Sequence, residues 1–491
     1  MRFQIFKNGE PVNDFTLCGA YMFGTDGIGI RRAEIVFENG FVECKKANLD
    51  TAGLALLWPV EGFGKVMLPT TCLPDRKKPY IMNVEIARAK LMQIVNKRED
   101  WLFFGNSDTT NDVAKKAQAL FVKAIQNIAN ASIASKLADE ALKKAIIASE
   151  QLATKQAESL FAARVKSHGF GRGALGCRVD IDQVSNPEYV EKLVRLFGSV
   201  TIPFSWAEIE PVQGQYDFSK MDTCIAILSK KKIAISTGPL LFFSKKYLPQ
   251  WLIGKGASFE KIRDVAYRYI LKVVARYANY IRVWCPIGGL NVFNHFGFRF
   301  EEILEMTRAA NMAAKQGSDR AVKIIEICNP WGEYYGTVPN SIPPLVYMDM
   351  LVQSGVNFDA FGLQMRFGRD QSGMHVRDMM QISAILDFLG PIAKPLFLTR
   401  VEVPSKNGTG PQSGEMAGIW HNEWDEARQG KWIEQFYRIA LSKPFVDSVI
   451  YSNLTDVDTT TIANSGLLTK ELNLKKSYQI LSRLHENLFI R

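Results

Sequence analysis

Apolar and polar positions alternate in a regular pattern over the last two thirds of the chain. From about residue 169, eight apolar runs of strand length alternate with amphipathic stretches such as NPEYVEKLVRLFG. The runs are Ala174–Ile181, Ser199–Trp206, Ile233–Phe242, Ile281–Gly289, Val322–Pro330, Phe358–Phe367, Pro395–Val403 and Val446–Leu454. Eight strand–helix units in succession predict an α/β fold, a (β/α)8 barrel over residues 169–491.

Residues 1–106 follow a different pattern, with short apolar runs broken by turn residues. Two of the runs, RAEIVFENGFVECKK and PYIMNVEIARAKLMQIV, are typical of strands, and Asn39-Gly40 is a hairpin turn signal. The segment therefore predicts a compact β-sandwich-like domain. Trp101 and the pair Phe103-Phe104 are expected to close its core.

Residues 107–168 contain no glycine and are rich in alanine. Small residues recur at helical spacing, among them Ala138, Ala141, Ala145 and Ala148, and the stretch NIANASIAS interrupts them. This predicts two long helices or one bent helix that connect the two domains. The alanine stripe fits a hairpin packed on its own protein. It equally fits a contact within a homo- or hetero-oligomer through residues 108–166, because small residues let helices approach closely.

Composition narrows the classes of function. The chain has 491 residues and a formal net charge of +10, but its basic residues are scattered, which favours solvated surfaces over a nucleic-acid interface. Seven cysteines without paired spacing predict neither a disulfide framework nor a metal site, and no cofactor motif stands out. No stretch approaches the about 20 apolar residues of a membrane span. The early polar residues of MRFQIFKNGEPVNDF argue against a signal peptide and favour a cytoplasmic protein.

Several of the predicted strand ends form an ordered set of similarities to one family. FSWAEIEPVQGQYDFSKMD, residues 204–222, resembles the second-strand region of glycoside hydrolase family 10, the xylanases. In the same order follow STGPLLFFSKKYLPQWL, YANYIRVWCPIGG, FDAFGLQMRF and KPLFLTRVEV, which resemble that family's third, fourth, sixth and seventh strands. The similarity covers about residues 170–490 and leaves out the first 165 residues.

The resemblance implies a retaining mechanism with two glutamates, an acid and a nucleophile held about 5–5.5 Å apart. The family's acid ends a Trp-Asp-x-x-Asn-Glu pattern, and here that position is Gly289. Its nucleophile lies in Thr-Glu-x-Asp, which here reads Thr399-Arg400-Val401-Glu402. Glycine has no proton to donate and arginine cannot act as a nucleophile, so the family's mechanism is expected to be lost.

The sequence offers candidate site residues at the strand ends. The substrate-binding candidates are Trp206, Phe243, Trp331, Gln364, Arg366 and Arg400. Glu333 and Glu402 are the fallback catalytic pair, if loops bring them together. The opposing interpretation is structural, with Glu333 bound to a loop backbone and Glu402 paired with Arg400 or Arg366.

Three functions remain open. The first is a xylanase-like protein without hydrolytic activity that binds a carbohydrate or serves as a scaffold. The second is an active glycosidase with relocated carboxylates, and the third is a structural subunit of an assembly. We expect Arg400 and Glu333 to form an ion pair across the mouth of the barrel; an arginine-lined pocket there would instead favour an acidic sugar as ligand.

Overall fold

A computed structural model describes residues 1–101, 109–167, 169–254, 256–392, 394–457 and 461–489. Within these ranges, no helix combines the length and apolar character that crossing a membrane requires.

The first 81 residues form β-rich structure. Its strands are β1 (Arg2–Gln4), β2 (Phe6–Lys7), β3 (Glu10–Pro11), β4 (Tyr21–Phe23), β5 (Glu34–Glu38), β6 (Phe41–Lys45), β7 (Gly53–Val60), β8 (Gly64–Pro69) and β9 (Tyr80–Ile81). One sheet has the order β5-β6-β1-β9, and β4, β7 and β8 belong to a second. The turn between β5 and β6 is Asn39-Gly40, with φ of 51° and 79°. Two positive φ angles are what a type I′ hairpin turn requires.

Three helices follow: α1 (Met82–Asp100), α2 (Thr109–Gln126) and α3 (Ala131–Ser167). The strand predicted from PYIMNVEIARAKLMQIV is wrong after its first residues, since nearly all of the run is α1. Its buried residues Val84, Ala87, Leu91 and Ile94 are spaced three or four apart, which is the period of a helix. Trp101, expected to close the β-rich core, instead packs with helical residues, Leu91 and Ile94 among them. The pair Phe103-Phe104 lies outside the described residues.

The alanine stripe of α3 is buried within the chain. Ala138, Ala141, Ala145 and Ala148 are each 0% exposed. Helix α3, about 55 Å long at 1.5 Å per residue, packs against α1 and α2 and also against the barrel. The pattern that suggested an oligomer contact is therefore occupied by the chain's own helices.

Residues 175–451 supply a closed parallel barrel of eight strands. They are β10 (Leu175–Arg178), β11 (Ser199–Ile202), β12 (Ala234–Phe242), β13 (Val283–Gly288), β14 (Val322–Ile327), β15 (Ala360–Arg366), β16 (Leu396–Glu402) and β18 (Val446–Tyr451); β17 (Ile419–Trp420) lies outside the barrel. Each strand falls within one of the eight predicted runs, so the (β/α)8 prediction is confirmed. Its helices and helical turns are α4 (Pro187–Leu196), α5 (Trp206–Ile209), α6 (Ser219–Lys230), α7 (Gln250–Ile253), α8 (Phe259–Tyr277), α9 (Phe300–Gly317), α10 (Pro344–Gln353), α11 (Met379–Leu389), α12 (Gly414–Ala417), α13 (Glu426–Ser442) and α14 (Lys476–Phe489).

The loop after the seventh barrel strand completes the second N-terminal sheet. Strand β17 pairs antiparallel with β8, with Ile419 opposite Lys65 and Trp420 opposite Gly64. A Cβ atom on Gly64 would lie 2.3 Å from the Ile419 carbonyl oxygen, so this close approach depends on glycine. The β-rich region and the barrel are thereby joined through shared backbone hydrogen bonds.

Glu150 fastens helix α3 to the same loop. Its carboxylate is 5% exposed and accepts hydrogen bonds from Trp420 Nε1 at 2.7 Å and the Met379 amide at 3.0 Å through Oε1. Its Oε2 lies 2.7 Å from Nε2 of His421. The carboxylate thus satisfies buried donors from two segments of the barrel.

Asn83 ties together three elements of the N-terminal region. It accepts from the Phe6 amide at 3.1 Å and donates to the Phe6 carbonyl at 3.0 Å. Its Nδ2 also donates to Asp139 Oδ1 at 2.8 Å. Burial raises the pKa of Asp139 to about 6, although the hydrogen bond from Asn83 acts to lower it.

We predict that Glu150→Ala lowers the free energy of unfolding by about 2–4 kcal/mol, because Trp420 Nε1 and the Met379 amide lose their buried acceptor. Urea unfolding followed by circular dichroism measures the effect. Glu158→Ala, at an exposed position of the same helix, is the matched control. Equal stability of the two variants would mean that Glu150 does not fasten α3.

We predict that Asp139→Asn stabilises the protein by about 1–2 kcal/mol at pH 7. The folded state binds a proton at Asp139 more tightly than the unfolded chain, so the wild type loses stability as pH rises from about 4 to about 6. The gain should vanish below about pH 4, where the aspartate is protonated in both states. Urea unfolding from pH 4 to 7, with the exposed Asp14→Asn as control, checks this; a gain that is independent of pH would contradict it.

Candidate functional site

A cavity of about 300 Å³ lies at the C-terminal ends of the barrel strands, where such folds place their functional residues. Four basic side chains line it: Arg178 at the end of β10, Lys246 after β12, Arg366 on β15 and Arg400 on β16. Gln364, Gln371, Ser244 and Thr461 also contribute to its wall. Among the described residues, none of those lining the cavity is an aspartate or a glutamate.

Aromatic rings form one wall of the cavity. The Phe242 ring lies 4.8 Å from the Phe293 ring and 5.3 Å from the Tyr247 ring, centroid to centroid, and all three residues line the cavity. Phe204 lines it as well. Aromatic faces next to polar groups provide both stacking surfaces and partners for hydroxyl groups.

Arg400 forms an ion pair with Glu402 on the same strand. Its Nη2 donates to Glu402 Oε1 at 3.0 Å, and the side chains are 12% and 0% exposed, respectively. Burial acts to lower the pKa of Arg400, but the charge and hydrogen bond of Glu402 outweigh it and leave that pKa raised. The predicted pair of Arg400 with Glu333 is therefore wrong, because the carboxylate two residues away on the strand is the one within reach.

Glu333 is held elsewhere, in a short 3-10 turn after β14. It forms a buried ion pair with Arg377 and accepts a hydrogen bond from the Gly373 amide. The Arg377 guanidinium lies over the Trp331 ring, 4.4 Å from its centroid. Neither Glu333 nor Glu402 lines the cavity, and Trp331 packs with Arg377 outside its lining.

Arg178 and Arg366 bring further positive charge to the cavity. Burial, with a second contribution from the charge of Arg400, lowers the pKa of Arg178 to about 10 and lowers that of Arg366. Arg366 Nη1 donates to Thr461 Oγ1 at 3.0 Å. In the described part of the chain, neither guanidinium has a carboxylate within ion-pair distance, whereas Arg400 has one.

Glu326 is the fifth residue of β14, whose sequence VKIIEI is otherwise apolar except for Lys323. It is 3% exposed, and its two oxygens accept from Gln364 Nε2 at 2.7 Å and from Thr399 Oγ1 at 2.6 Å. These bonds hold Gln364 and the end of β16 in place. The carboxylate therefore supports the floor of the cavity.

Gly289 has a backbone conformation that disfavours a side chain. Its φ is +66°, and a Cβ atom there would lie 2.7 Å from the Phe242 ring and 3.0 Å from Phe293. The position that the xylanase resemblance gives to the acid is thus filled by aromatic rings.

The structure places two other predicted site residues in the core. Trp206 is 1% exposed, stacks on Tyr269 at 5.0 Å and donates from Nε1 to Glu210 Oε2 at 2.7 Å. Phe243 is 0% exposed and packs on Phe298 at 5.2 Å. Of the six predicted binding residues, Gln364, Arg366 and Arg400 line the cavity.

Sequence reasoning missed Arg178, Lys246, Tyr247, Phe242, Phe293 and Glu326. Arg178 had a usable signal, because LGCR ends in a charge after a buried strand in the same way as the run that leads to Arg400. Glu326 was also visible as a lone carboxylate in an apolar strand. The aromatic wall had no such signal, since Phe242 and Phe243 are neighbours and only the strand register decides which one faces the cavity.

The fold is that of xylanase-like glycoside hydrolases. Xylanase 10B from Thermotoga maritima superimposes with a TM-score of 0.50 at 16% identity, over 67% of this chain and 97% of that one. A family 10 glycoside hydrolase from Paenibacillus barcinonensis superimposes with a TM-score of 0.51 at 17% identity, over 67% of this chain and 98% of that one. A psychrophilic family 10 endo-beta-1,4-xylanase superimposes with a TM-score of 0.51 at 15% identity, over 65% of this chain and 97% of that one.

One family model, glycoside hydrolase 42, described as beta-galactosidase, matches residues 194–262. The match runs from the last residues of α4 to the first residues of α8, which is a small part of the barrel. No curated protein matches the chain.

We predict that Arg400→Met lowers the free energy of unfolding by about 3 kcal/mol, because the fully buried Glu402 loses its counter-charge. Adding Glu402→Gln should recover most of the loss, since no buried charge is then left alone. Urea unfolding of the two single variants and the double variant measures the coupling between the sites. Additive losses would show that Arg400 and Glu402 do not stabilise each other.

Proposed function

We propose that this barrel mouth binds a saccharide and does not hydrolyse it by the two-glutamate mechanism. The observation that carries the proposal is the lining of the cavity. It combines aromatic rings and amide groups suited to sugars with cations at the strand ends, while no carboxylate of the described residues lines it.

The nearby carboxylates support binding rather than hydrolysis. Both oxygens of Glu326 accept hydrogen bonds, Glu402 is paired with Arg400, and Glu333 is paired with Arg377. A retaining glycosidase needs an acid and a nucleophile on either side of one glycosidic bond. Residues 289 and 400, which the resemblance aligns with those two groups, supply neither a proton nor a nucleophile.

The size of the cavity limits the ligand. About 300 Å³ is the lower end of the usual range for ligand pockets. This volume suits one sugar ring, with further rings extending into solvent. The site would thus hold the end of a chain or a side substituent rather than the middle of an extended glycan.

We predict no release of reducing ends from xylan and no turnover of an aryl β-xyloside. The controls are Glu326→Gln and Glu402→Gln. Turnover by the wild type that either substitution abolishes would contradict the proposal and establish relocated catalytic carboxylates.

The affinity of the protein for a saccharide is measured by isothermal titration calorimetry with xylotriose and with an aldouronic acid. Tyr247→Ala should weaken binding of whichever saccharide binds by roughly 3–10-fold through loss of the aromatic wall. Tyr280→Ala is the matched control, because Tyr280 is 55% exposed and precedes β13 at the opposite end of the barrel. Binding of neither saccharide, or equal effects of the two substitutions, would overturn the proposed site.

A further inference from the structure

The cations that line the cavity outnumber the carboxylates close enough to balance them. Four cations line the wall, namely Arg178, Lys246, Arg366 and Arg400. Two carboxylates, Glu326 and Glu402, lie close enough to act on the pKa of Arg178, Arg366 and Arg400. Among the described residues, four cations against two carboxylates leave two uncompensated positive charges around one small space.

The two arginines without carboxylate partners, Arg178 and Arg366, come from strands that are not neighbours in the barrel. Arg178 extends from β10 and Arg366 from β15, and β16 and β18 separate these strands in the barrel. Their guanidinium groups therefore approach the cavity from different strands. Arg366 is 7% exposed. The charge of Arg400 acts on both Arg178 and Arg366. Three cations that line one small cavity are costly to hold there unless an anion is bound among them.

The surroundings leave room for such an anion. Arg178 and Arg366 both line the same cavity of about 300 Å³, which is larger than a carboxylate or phosphate group. Gln364 lies opposite Arg400 in the strand register and is 6% exposed; its side-chain oxygen has no hydrogen-bond partner in the described structure. An oxygen acceptor among guanidinium groups suits a hydroxyl group on the ring that carries the anion.

We infer that the cavity binds an anionic sugar, whose carboxylate or ester oxyanion lies between Arg178 and Arg366. This inference rests on the proposed saccharide site and specifies its ligand. Guanidinium groups bind both carboxylates and phosphates through paired hydrogen bonds, so a uronic acid and a phosphate or sulfate ester share the same chemistry. The neighbouring rings would hold the sugar.

Calorimetric titration with D-glucuronate, glucose 6-phosphate, glucose 6-sulfate and D-glucose tests the inference. At least one anionic sugar should bind at least about tenfold tighter than D-glucose, because only the anion forms hydrogen bonds between charged groups with the arginines. The order among the three anions identifies the carboxylate or the ester. Equal binding of D-glucose and all three anions would overturn the inference.

Two pairs of variants locate the anion. Lys245 and Lys246 are adjacent and both exposed, but only Lys246 lines the cavity. Lys246→Ala should weaken binding of the anionic sugar, and Lys245→Ala should not. Arg178→Gln should weaken it by about tenfold or more and weaken binding of D-glucose much less, whereas Arg178→Lys should retain part of the affinity. Equal losses from the two lysine variants would indicate attraction to the surface charge alone and contradict the site.

The outcomes separate this inference from the proposed function. If xylotriose binds and the anionic sugars bind no more tightly than D-glucose, the proposed saccharide site is supported and the inference of an anionic ligand is overturned. Binding of inorganic phosphate, lost in Arg178→Gln, without binding of any sugar would overturn the proposed function and, with it, the inference of an anionic sugar. A thermal melt of each variant checks that it is folded before its affinity is compared.

Discussion

The ion pair between Arg400 and Glu402 sets the electrostatics of the barrel mouth. Glu402 is fully buried and accepts a hydrogen bond from Arg400, so the charge of the arginine at the end of β16 has a fixed counter-charge. That charge acts in turn on Arg178 and Arg366, and it contributes to the lowered pKa of each. The pair therefore uses one carboxylate for structure and leaves the neighbouring cations facing the cavity.

The N-terminal region supports the loops around this site. Arg31 lies 4.1 Å from the centroid of the Tyr335 ring and donates to the Ser341 carbonyl at 2.9 Å, both in the segment after β14. The Met67 amide donates to the Val376 carbonyl at 2.8 Å, in the segment after β15. The segment that precedes the barrel is thus integral to it, because it supplies hydrogen-bond partners to the segments that follow two of the barrel strands.

The barrel was predictable from sequence because eight apolar runs alternate with amphipathic stretches, and each run contains one observed strand. Helix α1 was misassigned because the short apolar clusters of its run resemble strands unless the spacing of Val84, Ala87 and Leu91 is counted. In the site, Arg400 was found because a charge directly follows a buried strand. Its partner Glu402 was one of two alternatives, and the sequence favoured the other, Glu333. The loop after β14 decides between them, because it turns Glu333 toward Arg377. Strand register and loop direction depend on tertiary packing, which local patterns do not contain.

The most direct measurement is a crystal structure of the protein grown with an aldouronic acid. We predict an intact saccharide with its carboxylate oxygens about 3 Å from the guanidinium groups of Arg178 and Arg366 and a sugar ring against Phe242 or Tyr247. A cleaved saccharide positioned beside Glu326 or Glu402 would contradict this prediction, as would a cavity that stays empty of sugar at saturating ligand.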